Sequence, residues 1–113
     1  MSDCIFCRIA TGDVPARIAY QDDTAVAFHD LAPRAPTHVL IIPREHVRDL
    51  GHATPDHRLV LGHLLDIARR VAVEQGLEDG YRVVLNVGRD GGQSVDHLHV
   101  HLLGGRALGW PPG

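Results

Sequence analysis

The 113-residue chain has no lysine: all eleven of its basic side chains are arginine. A Schiff base on a lysine amine is therefore excluded. Positive charge is not in excess either. With a formal net charge of −3 and a pI near 6.3, no broad cationic field exists to hold polymeric DNA or RNA. No apolar run approaches the length needed to cross a bilayer, and Met1-Ser2-Asp3-Cys4 is not a cationic segment leading into one. This predicts a soluble, cytoplasmic protein with no membrane partner. Cysteine is restricted to Cys4 and Cys7. Without a signal peptide, their C-x-x-C spacing reads as a metal half-site or a redox pair rather than a structural disulfide.

Histidine, by contrast, is abundant, and three of the nine alternate with apolar residues as His97-Leu98-His99-Val100-His101-Leu102-Leu103. Successive side chains on a strand point to opposite faces, so this spacing lines three imidazoles along one side and sends the apolar residues to the other. Imidazole near neutral pH is a nucleophile, a proton carrier or a metal ligand. The row alone is compatible with phosphoryl chemistry, with metal binding or with a merely polar strand face.

The length fits one domain over residues 1–113 with a single hydrophobic core. Ile5–Ala10 predicts a short helix ending before Gly12. Ile18–Tyr20, Ala25–Phe28 and His38–Ile42 read as strands, separated by turn residues Gln21-Asp22-Asp23 and Pro33-Arg34-Ala35-Pro36. A long helix opens with Thr54 as N-cap, Pro55 in the first helical position and Asp56 in the first turn. Val60, Leu64, Ile67, Ala68 and Val71 form its apolar stripe, and Gly76 stops it. Tyr81–Val87 and Asp96–Leu103 predict two further strands around a glycine-rich loop. The order argues for an α+β fold, one long and one short helix against a mostly antiparallel sheet.

Gly91-Gly92-Gln93-Ser94 stand just before the histidines, where glycine lets backbone N–H groups turn toward an anion and Gln93 and Ser94 add side-chain donors. The run Gly91 to Arg106, the ending Trp110-Pro111-Pro112-Gly113, Ala27-Phe28-His29-Asp30, Ala35 to Pro43 and Leu85-Asn86 together resemble the histidine triad (HIT) superfamily. Within it they are most similar to the histidine triad nucleotide-binding (Hint) branch.

The resemblance implies an α+β homodimer whose sheets join at the subunit interface and a purine nucleotide at each triad. It assigns His99 as nucleophile toward the α-phosphorus of a nucleoside phosphoramidate, with a nucleotidyl-histidine then hydrolysed by water. His101, one same-face step of about 6.6–6.8 Å along the strand, would handle charge and protons. Ser94 would donate near the leaving atom, and His38 would support the triad. Asp30 would accept the ribose hydroxyls, Asn86, Gly92, Gln93 and Val95 would surround the phosphate, and Trp110 would reach toward the partner subunit's site. Ile5, Phe6, Ile9, Phe28 and Leu31 would form the slot for the base, with His29 among the nucleotide contacts.

Some members of the superfamily carry zinc, and by resemblance Cys4, Cys7, His46 and His97 would complete a closed structural shell. His29 competes for a ligand position, while His52, His57 and His63 are expected to be exposed. Other readings remain: dinucleoside polyphosphate cleavage as in the Fhit branch, a regulatory nucleotide-binding protein with incidental catalysis, or a catalytic metal centre made of His97, His99 and His101. A uridylyltransferase role conflicts with His101, where glutamine would be needed. Asp96 departs from the aromatic residue that often precedes the triad in animal relatives.

Overall fold

Helix α1 (Ile5–Thr11) begins where extended Cys4 accepts the Cys7 amide on its sulfur at 3.4 Å, and it ends at Gly12, whose φ of 86° suits a residue without Cβ. The chain then enters strands β1 (Ile18–Gln21), β2 (Ala25–His29) and β3 (Thr37–Pro43). After the connection past β3, Thr54 caps a 3-10 turn at Pro55–His57 that runs directly into helix α2 (Arg58–Glu74). Strands β4 (Tyr81–Val84) and β5 (Val100–Gly104) complete the fold. These elements come from a computed structural model that describes residues 2–113; Met1 lies outside the described residues.

The strands form one five-stranded sheet in the order β1-β2-β3-β5-β4, with every neighbouring pair antiparallel. Strand parity divides its side chains between two cores. Toward α2, Ala25, Ala27, Val39, Ile41, Val100 and Leu102 meet Leu64, Ile67, Ala68 and Val71 of the helix. Toward α1, Val26, Phe28, Leu40 and Ile42 meet Phe6 and Ala10. Each fully buried Leu, Ile or Val contributes about 1.5–3 kcal/mol, so the larger α2 core carries most of the burial energy. No helix among the described residues is long and apolar enough to cross a membrane.

Two strands are shorter than the sequence pattern predicts. β4 ends at Val84, opposite His101, and residues 85–87 have no ladder partner. The histidine strand begins at Val100 rather than Asp96. β3 pairs with it only as far as Ile41–Val100, and Pro43, which has no N–H, closes that end of β3. His97 and His99 therefore precede the regular strand. Their alternation survives: Leu98, Val100 and Leu102 all enter the α2 core, while Phe6 of α1 contacts the rings of His97 and His99.

Candidate active site and metal centre

Between α1 and the adjacent sheet face lies an open cleft of about 290 Å³, near the lower edge of small-molecule site sizes of about 300–1,000 Å³. Ile5, Phe6 and Ile9 of α1 form one wall, and Phe28, His29, Asp30 and Leu31 at the end of β2 form another. Ser94, Val95, His99 and His101 close the far end. An apolar slot thus runs into a cluster of imidazoles and a hydroxyl.

The hydrogen bonds at that end fix where each imidazole carries its proton. A carbonyl can only accept, so the 2.7 Å contact of His99 Nδ1 with the His97 carbonyl places the His99 proton on Nδ1 and leaves Nε2 bare in the neutral ring. A peptide N–H can only donate. The Arg34 amide donates to His38 Nδ1 at 3.0 Å, so neutral His38 carries its proton on Nε2 and donates it to His101 Nδ1 at 2.9 Å. The His101 proton then resides on Nε2. Burial, reinforced by His99 and His38, holds the His101 pKa down to about 4, so this ring is neutral at pH 7. Burial also lowers the His38 pKa, opposed in part by the Asp30 carboxylate, whose Oδ2 is 3.5 Å from His38 Nε2.

Asp30, His38 and His101 bring potential ligand atoms within 4.8 Å of one another. They form a relay rather than a metal centre, because the Arg34 N–H occupies the His38 Nδ1 lone pair and forces the proton onto the nitrogen that would face a cation. Nor do His97, His99 and His101 converge on a common metal. The His97 ring turns to a different cluster, where its Nδ1 lies 3.3 Å from Cys4 Sγ, 3.5 Å from Cys7 Sγ and 3.2 Å from His46 Nδ1. Cys7 Sγ is 3.3 Å from His46 Nδ1, and all four ligand atoms lie within 4.8 Å of one another.

That quartet fits a tetrahedral ion. Zn–N of about 2.0–2.1 Å and Zn–S of about 2.3 Å imply tetrahedral edges of about 3.3 Å between two nitrogens and about 3.5 Å between nitrogen and sulfur. The separations match. His97 Nε2 donates to the Pro43 carbonyl at 2.9 Å, so its Nδ1 lone pair is presented to the sulfurs, as an outer-shell hydrogen bond does for a metal-bound imidazole.

A family profile described as the HIT domain matches residues 11–108. The chain belongs to the HIT domain family. An uncharacterized HIT-like protein of Synechococcus elongatus is 51% identical over 111 residues, covering 98% of this chain and 97% of that protein. A 14 kDa zinc-binding protein of Zea mays is 50% identical over 114 residues, covering 99% and 89%. Among solved structures, a HIT family hydrolase from Legionella pneumophila superposes with a TM-score of 0.96 at 46% identity, covering 98% of this chain and 100% of that one. A histidine triad nucleotide-binding protein from Candida albicans gives 0.82 at 33%, covering 96% and 83%. With those neighbours, the α+β HIT fold here is that of the hydrolase-like members.

Most of the residues expected for a HIT site meet in the cleft: Ile5, Phe6, Ile9, Phe28, His29, Asp30, Leu31, Ser94, Val95, His99 and His101 line it, with His38 directly behind His101. Asn86, Gly92, Gln93 and Trp110 do not. Trp110 is 84% exposed, and the Gln93 amide is engaged with main chain. His29 lines the cleft of this HIT domain and stands outside the Cys4, Cys7, His46 and His97 cluster; burial and Arg17 lower its pKa. Of the histidines expected to be exposed, only His52 is. His57 is half-buried and pairs with Glu45 at 3.0 Å, while His63 pairs with Asp22 at 2.6 Å.

Sequence reasoning missed Val14, Pro15, Ala16, Arg17 and Leu40, which also line the HIT cleft. Val14-Pro15-Ala16 has one usable signal, an apolar pair around a φ-locking proline directly after a helix stop. Leu40 has none, because every residue of β3 is buried and alternation vanishes in a strand covered on both faces.

Proposed function

We propose that this HIT protein is a single-domain, homodimeric hydrolase of the Hint type that cleaves purine nucleoside phosphoramidates. The observation that carries the reading is the His99 Nδ1–H bond to the His97 carbonyl, which leaves an unprotonated Nε2 in a cleft beside His101. The base sits in the slot of Ile5, Phe6, Ile9, Phe28 and Leu31, and Asp30 accepts the ribose hydroxyls. His99 Nε2 attacks the α-phosphorus and the P–N bond breaks. The departing nitrogen takes a proton that His101 relays from solvent, handing on its Nε2 proton and being reprotonated so that the ring stays neutral, with Ser94 donating a hydrogen bond nearby. Water then attacks phosphorus, the P–Nε2 bond breaks, and a nucleoside monophosphate leaves. The two hydrogens of that water account for the amine N–H and the phosphate O–H, so His99 and His101 return to their starting forms. Dividing one displacement into two is what a neutral imidazole nucleophile contributes.

Cys4, Cys7, His46 and His97 hold zinc in this reading. Four protein ligands leave no open coordination position, so the ion would tie α1 to the segments that follow β3 and precede β5 and would supply no Lewis-acid chemistry. Similarity to the zinc-binding protein of maize supports the metal, and similarity to the nucleotide-binding protein of Candida albicans supports a nucleotide ligand. The homodimer forms at β4, an edge strand with Tyr81 and Val83 exposed, by continuing the sheet.

The test is incubation with a nucleoside 5′-phosphoramidate and intact-mass measurement of wild type and His99→Ala. Wild type gains the mass of a nucleotidyl group and releases monophosphate, and His99→Ala loses turnover by at least about 10³-fold. Undiminished turnover by His99→Ala ends the mechanism, and faster cleavage of a dinucleoside polyphosphate offered alongside reassigns the substrate.

A further inference from the structure

Both donor protons and the acceptor of the Gln93 side-chain amide are engaged by main chain. Oε1 accepts the Gly88 amide at 2.8 Å, and Nε2 donates to the Arg48 carbonyl at 2.8 Å and to the Val95 carbonyl at 2.9 Å. One N–H on one side and two carbonyls on the other distinguish oxygen from nitrogen without ambiguity. The Gln93 main-chain N–H adds a bond to the Gly88 carbonyl at 3.1 Å.

Three segments meet at this amide: the connection after β3, the loop after β4 and the stretch leading into the histidines. Val47, one residue before Arg48, accepts the Leu98 amide on its carbonyl at 2.6 Å. Consecutive carbonyls therefore hold both ends of residues 93–98. Between those ends stand Ser94 and Val95, the part of the cleft wall beside His99 and His101. The loop itself is tightly built, since a Cβ on Gly91 would lie 2.5 Å from the Val87 carbonyl oxygen.

We propose that Gln93 is a positioning residue: by bridging Arg48, Gly88 and Val95 it fixes the Ser94–Val95 wall against which the phosphate-bearing end of the substrate is set, without touching substrate itself. The inference rests on the phosphoramidase reading above. Misplacement of reacting groups by about 1 Å costs on the order of 100-fold in rate, so a side chain that sets this wall should show in kcat more than in KM.

Gln93→Met keeps the length and removes all three bonds. Gln93→Glu presents carboxylate lone pairs to two carbonyls, whereas its protonated form can accept from Gly88 and donate to one carbonyl. Along these segments Arg48 pairs with Asp96 at 3.6 Å and Arg89 with Asp90 at 3.3 Å, while on the connection after β3 Asp49 pairs with His52 at 2.7 Å and Glu45 with His57 at 3.0 Å. The expected result is a fall of about 10- to 100-fold in kcat for Gln93→Met, with KM changed less than about threefold. The ratio of Gln93→Glu to wild-type kcat rises from about pH 8 to about pH 5, while the Gln93→Met ratio stays flat.

Both variants are compared per folded molecule after thermal denaturation, and amide exchange at Gly88, whose N–H loses its acceptor, is expected to accelerate in Gln93→Met. Wild-type kcat in Gln93→Met, a flat Gln93→Glu ratio or unchanged Gly88 exchange overturns the inference. Absence of turnover by wild type overturns the phosphoramidase reading instead, and the bridge is then decided by Gly88 exchange, slow in wild type and fast in Gln93→Met or else refuted.

Discussion

The two faces of the sheet are built from the same strands and hold opposite chemistry. β3 sends Val39 and Ile41 toward α2 and Leu40 and Ile42 toward α1, and the core against α2 is built on Leu64, Ile67, Ala68 and Val71 of the helix. On the α1 side, His97 and His99 are 0% and 3% exposed. Each has a main-chain carbonyl partner, which is what makes burying these polar rings tolerable. One face thus supplies cohesion and the other supplies reactivity. Because parity alone separates them, a one-residue slip of β5 against β3 would send His101 into the apolar core and destroy both functions at once.

Paired substitutions test that division, beginning with the largest effect. His99→Ala, with its loss of at least about 10³-fold in turnover, should remain folded, read by a cooperative urea transition. Leu64→Ala on the other face should do the reverse, costing about 2–5 kcal/mol in the same transition while turnover per folded molecule stays near wild type. If Leu64→Ala lost turnover before it unfolded, the faces would not be separable.

A third variant probes the seam between them. Cys4 caps α1, whose Ile5, Phe6 and Ile9 line the cleft, so Cys4→Ala/Cys7→Ala should abolish bound zinc by metal analysis and raise KM by about tenfold more than it lowers kcat. A dominant loss in kcat would give the metal cluster a part in chemistry.

The smallest effect concerns acid. His101 has a folded pKa of about 4 against an ordinary 6.5, so the unfolded chain takes up a proton that the folded chain refuses. Stability from this source is full above pH 6.5 and is lost as pH falls from there toward about 4, with buried His38 acting in the same direction. The drop in Tm between about pH 7.5 and about pH 5 should be smaller in His101→Gln than in wild type. An equal drop would assign the acid sensitivity elsewhere.

How far the sequence could be read follows the same division of faces. α2 was legible in its body, since the stripe Val60, Leu64, Ile67, Ala68 and Val71 is a local signal and all but half-buried Val60 are buried, while the Thr54 cap and Pro55 open a 3-10 turn ahead of the α-helix. The parity of the histidine row was legible too. Its strand limits were not, because they depend on where the β3–β5 ladder ends, at the Ile41–Val100 pair, a fact about another segment. Cys4 and Cys7 announced a half-site by spacing, but His46 and His97 came from family resemblance alone, and only the fold brings the four together. Gln93 was expected among the nucleotide contacts, and the fold engages its side-chain amide with the main chain of Gly88, Arg48 and Val95. An amide beside a glycine loop has the same composition whether it faces a phosphate or three peptide groups.

The orientation of the imidazole relay originates in a peptide group, the Arg34 N–H that His38 must accept. Its polarity is therefore written in the main chain and not in any side chain. Replacing loop residues one by one with alanine would leave that N–H in place and register nothing, so a determinant of proton direction at His101 would pass unseen through a conventional mutational survey of the site.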